Sequence, residues 1–238
     1  MVIYPAIDVL GGKCVRLSQG DYAESVTYYE DPLDAAKSFE DAGSEWLHLV
    51  DLDGARAGKP VNTAVFERIR AATKLRIQTG GGVRSLESAR VILESGAERV
   101  IFGTAIARDL DLAAQVFESL GERAVAGVDM KDGRAATEGW TEGGEDGLML
   151  ARRFKEMGCR WFIITDIATD GMLSGPNFQL MTACVHELGE GVIASGGVSC
   201  QDDLEKLRLT GVQGVVVGKA IYEGRVNLGD LFGTGQPG

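Results

Sequence analysis

The chain has little of what metal, redox or secreted chemistry requires. It holds two histidines, and His48 and His186 stand too far apart to form a local metal motif. Its four cysteines, at 14, 159, 184 and 200, make no CxxC pair. That argues for reduced thiols in the cytosol and against a disulfide framework or a zinc site. The acidic residues show no EF-hand spacing. No apolar run approaches the ~18 residues of a membrane helix. No basic segment precedes the apolar stretch of MVIYPAIDVLGG, so a signal peptide is not expected. Cations are the scarcer charge, 24 Lys and Arg against 35 Asp and Glu, for a net charge of −11. Such a surface opposes nucleic acid and anionic membranes, and an anionic ligand would need a local site of backbone N–H groups or single cations. A GxGxxG after a strand is missing, which removes the main argument for a dinucleotide, and no GxSxG occurs. VGKA (217–220) imitates the end of a P-loop, but Gln213 stands where the first glycine belongs and Ala220 replaces the Ser/Thr. There is no linker, low-complexity tract or shift of composition. With 45% hydrophobic residues, the 238-residue chain reads as a single domain over 1–238.

What the chain does have is a copy of itself. TGGGVRSLESARVILESGAERVIFGTAI (79–106) and ASGGVSCQDDLEKLRLTGVQGVVVGKAI (194–221) align at a constant offset of 115. That offset places Gly82 on Gly197, Gly103 on Gly218, Asp51 on Asp166 and Asn62 on Asn177. AIDVLGGKCV (6–15) resembles GVDMKDGRAA (127–136), which puts Asp8 on Asp129. A repeat this long is an architectural unit, and two half-folds of about 1–120 and 121–238 would duplicate any site they carry.

Short apolar, β-branched runs at 2–7, 46–51, 75–79, 98–102, 123–129, 161–165, 191–195 and 213–217 read as strands buried on both faces. Helical patterns fall between them at 32–43, 62–72, 85–95, 109–120, 145–158, 177–188 and 200–209, with a short one after 218. Gly43, Gly96, Gly158, Gly189 and Gly211 sit where helices should end, and Ser85 and Asn177 where they should begin. Eight strands alternating with eight helices imply a parallel sheet, and eight is the number that closes. The fold expected is an α/β (βα)8 TIM barrel built from two repeated half-barrels. The doubly wound open sheet is the alternative that the repeat disfavours.

In such a barrel the chemistry belongs to the loops after the strands. Strand one ends in Asp8 and strand five in Asp129, and the repeat makes them equivalent. Two carboxylates facing one another across a barrel mouth suit acid and base chemistry. A single such aspartate would more often bind backbone N–H groups in its own loop. The paired clusters TGGGVRS with FGTA, and ASGGVS with VGKA, suit oxyanions, because glycine lets a phosphate approach the main chain. The duplication implies two phosphate sites and a ligand that spans them. A Cβ at Gly82 or Gly197 is expected to displace the phosphate without unfolding the barrel. His48 reads as a buried, hydrogen-bonded strand residue and His186 as a surface one. The stretch 134–144 is a long loop, and the tail 233–238 reads as frayed.

PAIDVLGGKCVRLSQGD (5–21), HLVDLDGA (48–55), GGGVR (80–84), GWTE (139–142), TDIATDGMLSGPN (165–177), SGGVS (195–199) and GVVVGKAIYEG (214–224) resemble the ProFAR isomerase family of histidine biosynthesis. The resemblance covers essentially the whole chain. It implies an Amadori rearrangement of the aminoaldose ProFAR to the aminoketose PRFAR, a bisphosphorylated small-molecule substrate, and no metal or organic cofactor. It implies Asp8 as general base and Asp129 as general acid. Thr165 and Asp170 match residues that support the reacting sugar, Trp140 one that stacks on the imidazole, and Arg16 a substrate contact. Gly82, Gly103 and Thr104 match one phosphate site, and Gly175, Gly197, Gly218 and Lys219 the other. A cytoplasmic monomer without nucleic-acid or membrane partners is expected. The related cyclase barrel of the same pathway shares the repeat, but VRLSQGDY (15–22) and GWTE side with the isomerase. A bifunctional relative that also takes phosphoribosylanthranilate typically carries Arg after GWT, where this chain has Glu142. A non-catalytic sugar-phosphate barrel is the remaining alternative.

Overall fold

The eight apolar runs become eight parallel strands that close on themselves. The computed structural model describes residues 1–18, 21–136 and 144–233. Its strands are β1 Val2–Leu10, β2 Lys13–Ser18, β3 Asp21–Tyr29, β4 Trp46–Asp51, β5 Arg76–Gly80, β6 Arg99–Phe102, β7 Ala124–Lys131, β8 Arg134–Ala135, β9 Trp161–Asp166, β10 Val192–Ser195 and β11 Gly214–Val217. The barrel runs β1-β4-β5-β6-β7-β9-β10-β11, and β11 returns to β1 through the parallel register Val2↔Gly214 to Pro5↔Val217. The expected α/β (βα)8 barrel of two repeated halves is the observed fold.

Local chemistry sets the helix limits. Asp31 caps Pro32–Asp41 by accepting from the Leu33 N–H, with Pro32 in the first turn, where it sacrifices no helical hydrogen bond. Ser85 and Ser88 form a capping box that starts Leu86–Glu94. Asn177 accepts from the Leu180 N–H to start Phe178–Leu188, and Gly189 ends that helix at φ +74°. The helices cover the outer faces of the strands in one large apolar cluster, where Phe66, Phe102, Phe154 and Phe162 are fully buried. Truncating any of these to alanine should cost about 3–5 kcal/mol.

A smaller cluster fills the barrel interior, with Tyr4, Ala6, Trp46, Val125, Ile163, Ile193 and Val216 at its centre. Its floor is cationic and aromatic. The Arg99 guanidinium lies 4.7 Å from the Trp46 ring and 3.7 Å from that of Trp161, and Arg76 lies 4.3 Å from Trp46. Arg99 Nη1 also donates to the Tyr4 hydroxyl at 3.3 Å. Trp46 and Trp161 are repeat equivalents at the offset of 115, so the twofold pattern reaches the floor.

Three features depart from the sequence expectation. Residues 11–31, expected as loop, carry an antiparallel hairpin of β2 and β3 that extends the sheet from β1. Gly11 at φ +57° and Gly12 at φ +77° make the tight turn that folds β2 back onto β1. Consequently β1 runs on to Leu10 and Asp8 lies within the ladder, opposite Val15, not at its end. Asp129 likewise sits inside β7, which continues to Lys131 and pairs with the short β8. Finally, the loops after β4 and β6 contain short helices, Leu52–Ala57 and Thr104–Arg108.

Candidate active site

Four aspartates occupy related places on the strands, and their surroundings divide them into two kinds. Asp51 and Asp166 end β4 and β9 and are 1% and 6% exposed. Asp51 accepts from the N–H groups of Gly54, Val61 and Asn62 and from the Asn62 side-chain amide at 2.6 Å. Asp166 accepts from the Ala168 N–H and from the Asn177 amide at 2.8 Å. These two are structural clamps, repeated at the offset of 115, each tying the start of a helix to the end of a strand. Asp8 and Asp129 both line one cleft of about 400 Å³ at the mouth of the barrel.

Arg16 organises the cleft around Asp8. Its Nη1 donates to Asp8 Oδ2 at 3.2 Å and its Nη2 to Asp170 Oδ1 at 2.6 Å. The hairpin thus reaches across the mouth to the loop after β9, joining residues 154 positions apart. The Arg16 side chain is 17% exposed and that of Asp8 12%, so solvent screens this pair weakly. Burial raises the Asp8 pKa above the usual carboxylate value. Arg16 works against that shift and Asp170 adds to it. Burial also opposes the Arg16 charge, but Asp170 and Asp8 together outweigh it and hold the guanidinium protonated.

Glycine turns flank the cleft on both sides. Gly81 and Gly82 follow β5 at φ +110° and +79°, and Gly196 and Gly197 follow β10 at φ +91° and +85°. Such angles favour glycine over any L side chain. Each turn also packs directly on main chain. A Cβ at Gly82 would sit 2.3 Å from the Gly54 carbonyl oxygen, and one at Gly197 2.5 Å from that of Gly175. The expectation that these positions accept a side chain without disturbing the barrel is therefore corrected. The second glycine element of each half has nearly the same backbone, with Gly103 at φ −109°, ψ −116° and Gly218 at φ −110°, ψ −96°. Here the halves differ in cations: Thr104 follows Gly103, whereas Lys219 follows Gly218 and donates to the Gly171 carbonyl at 3.0 Å.

The cleft brings together Asp8, Arg16, Gly82, Gly103, Thr104, Asp129, Thr165, Asp170, Gly197, Gly218 and Lys219. Gly175 is absent from its lining and lies behind the second turn, where its N–H donates to the Gly197 carbonyl at 3.0 Å. Trp140 and Glu142 lie outside the described residues. Two polar side chains, Arg84 and His48, are among the lining residues that sequence reasoning missed. Arg84, within GGGVR, brings a cation beside the first glycine turn and packs on Gly58. His48 is buried and bonded to Gln78, as expected, yet it also lines the cleft. Its place between Trp46 and Val50, on a strand whose alternate residues face inward, is the signal that could have found it.

These features define a (βα)8 barrel with a carboxylate-lined mouth between two duplicated glycine turns. A family profile described as histidine biosynthesis protein matches residues 2–227. The chain belongs to this family. An isomerase of Alkaliphilus metalliredigens, named 1-(5-phosphoribosyl)-5-((5-phosphoribosylamino)methylideneamino) imidazole-4-carboxamide isomerase, is 44% identical over 98% of this chain and 99% of its own length. Proteins of the same name from Ruminiclostridium cellulolyticum and Parasynechococcus marenigrum are 42% and 46% identical, covering 96% and 97% of this chain and 97% and 92% of theirs.

Proposed function

We propose that this chain is the aldose–ketose isomerase of histidine biosynthesis that converts ProFAR to PRFAR. The observation that carries the reading is one cleft lined by Asp8 and Asp129 between glycine turns repeated on opposite sides. Relatives that share this chain nearly end to end are named for this isomerisation. A substrate with a phosphate at each end fits two such turns, because each offers main-chain N–H groups that no side chain obstructs.

In this mechanism Asp129 protonates the ribose ring oxygen and the ring opens to a Schiff base. Asp8 then removes the C2′ proton, and the resulting enolamine tautomerises to the ketone. The raised Asp8 pKa suits a base that must both take up a proton and release it. Arg16 works against that rise by favouring the ionised carboxylate. Thr165 and Asp170 support the reacting sugar, and Trp140 stacks on the imidazole. Gly82, Gly103 and Thr104, joined by Arg84, hold one phosphate. Gly197, Gly218 and Lys219 hold the other, with Gly175 bracing the Gly197 turn. The two half-barrels meet near residue 120 within one domain. The protein works as a cytoplasmic monomer; among the described residues no helix is long and apolar enough to cross a membrane.

Purified chain offered ProFAR, with PRFAR followed as product, tests the reading. Turnover is expected, with kcat/KM on phosphoribosylanthranilate at least ~10³-fold lower, about 4 kcal/mol of transition-state binding. Failure to convert ProFAR overturns the reading, and comparable values on both substrates would mean a bifunctional enzyme.

A further inference from the structure

His48 and Gln78 are register partners on adjacent strands, β4 and β5, and both face the barrel interior beneath the mouth. Gln78 is fully buried and His48 is 8% exposed. Their repeat equivalents at the offset of 115 are Ile163 and Ile193, which are also register partners, on β9 and β10. The second half thus fills the same layer with two aliphatic side chains. Packing alone does not require a polar pair there, and the pair is a burden: Gln78 Oε1 is buried without a hydrogen-bond partner. Leaving such an atom unsatisfied forfeits its hydration with nothing in return. A polar pair kept at that cost, in one half only and beside the cleft, calls for a chemical reason.

The geometry supplies it. Gln78 Nε2 lies 3.1 Å from His48 Nδ1. An amide nitrogen only donates, so Nδ1 accepts, and the single proton of a neutral imidazole is then on Nε2. His48 lines the cleft on the strand next to β1, two register positions below Asp8. We propose that Gln78 is a positioning residue that fixes His48 as its Nε2–H tautomer, so that a neutral imidazole donates a hydrogen bond to the substrate oxygen on the carbon that Asp8 deprotonates. Burial, with the Arg16 charge adding to it, lowers the His48 pKa to about 4, so the ring is neutral at working pH. A neutral donor steadies the oxygen as enol becomes ketone without surrendering a proton to the neighbouring carboxylate.

This inference rests on the isomerase reading for its substrate, but the tautomer can be tested without any substrate. With only two histidines, the ring nitrogens of His48 are separated from those of His186 by one variant, His186→Gln. Nitrogen NMR of the labelled full chain should find His48 Nδ1 unprotonated and Nε2 protonated, and the reverse pattern overturns the proposal. Gln78→Glu replaces the donor with an acceptor and should move the proton to Nδ1, lowering kcat on the order of 10²-fold with little change in KM. Gln78→Met removes the partner at similar volume, and should mix the tautomers and lower kcat less. A moved proton with unchanged kcat in either variant overturns the role. Should Gln78→Glu fail to fold, the unaltered chain and Gln78→Met decide the matter. Absence of ProFAR turnover by the unaltered chain would sink the isomerase reading and leave the tautomer result standing.

Discussion

The two half-barrels share a skeleton and differ in what they place on it. The clamps Asp51–Asn62 and Asp166–Asn177 and the turns Gly81–Gly82 and Gly196–Gly197 recur at one offset with similar geometry. The cations do not recur. Arg16 comes only from the first half, on a hairpin for which the second half has just the short β8 among the described residues. Lys219 stands where the first half has Thr104, and His48 with Gln78 where the second has two isoleucines. Duplication supplies two matching glycine turns on opposite sides of the cleft. Divergence at a handful of positions gives each half side chains that the other lacks at the matching places.

The sharpest way to break the symmetry is at the carboxylates themselves. Asp8→Asn and Asp129→Asn should each lower kcat at least ~10²-fold while KM for ProFAR changes far less. Near-normal steady-state turnover in either variant would remove the acid–base assignment. Acid should act on Asp8 in the same direction. Its raised pKa in the free protein means that kcat/KM falls, as pH drops, at a higher pH than for an ordinary carboxylate, and a pH profile of kcat/KM checks this.

Stability against pH sharpens the contrast between His48 and Ile163. The folded His48 pKa of about 4 lies below its usual 6.5, so below pH 6.5 the unfolded chain binds a proton that the folded chain refuses. Stability from this group is fully present above pH 6.5 and is lost as pH falls toward 4. The loss should reach about 3 kcal/mol, and denaturant titrations at several pH values should find it absent in His48→Ile.

The turns should respond alike in both halves. Gly82→Ala and Gly197→Ala each force a Cβ against a carbonyl oxygen at positive φ, and each should destabilise the fold by roughly 1–3 kcal/mol besides raising KM. Thermal melts that leave Tm unchanged would mean that the main chain yields there. The smallest effect belongs to the clamps. Asn62→Ala and Asn177→Ala should each cost about 1 kcal/mol of stability, with kcat nearly intact. A much larger loss for one clamp would show that the halves bear load unequally.

The barrel was legible because its strands are short continuous apolar runs and its helices end in glycines, and the repeat counted the units twice. Lys13–Ser18 and Asp21–Tyr29 were not legible as strands. Polar residues interrupt the apolar Cys14, Val15 and Leu17 without a strict period of two, and the pairing depends on a turn at Gly11–Gly12 and on β1 running past Asp8. Asp8 and Asp129 could be singled out because the repeat made them equivalents. The Arg16 contacts could not be foreseen, since they join a hairpin to a loop 154 residues away. Gly175 looked like the other glycines, and only the packing of its carbonyl beneath Gly197 separates it from the cleft lining.

The cation–aromatic floor has an optical consequence. Two of the three tryptophans, Trp46 and Trp161, are held against Arg99 at the end of the barrel away from the cleft. Their emission is expected to follow the closure of the barrel floor. In the proposed isomerase, where Trp140 stacks on the imidazole, a fluorescence change on adding substrate is expected to vanish in Trp140→Phe, leaving Trp46 and Trp161 to report unfolding. One chain would then carry separate lamps for folding and for binding.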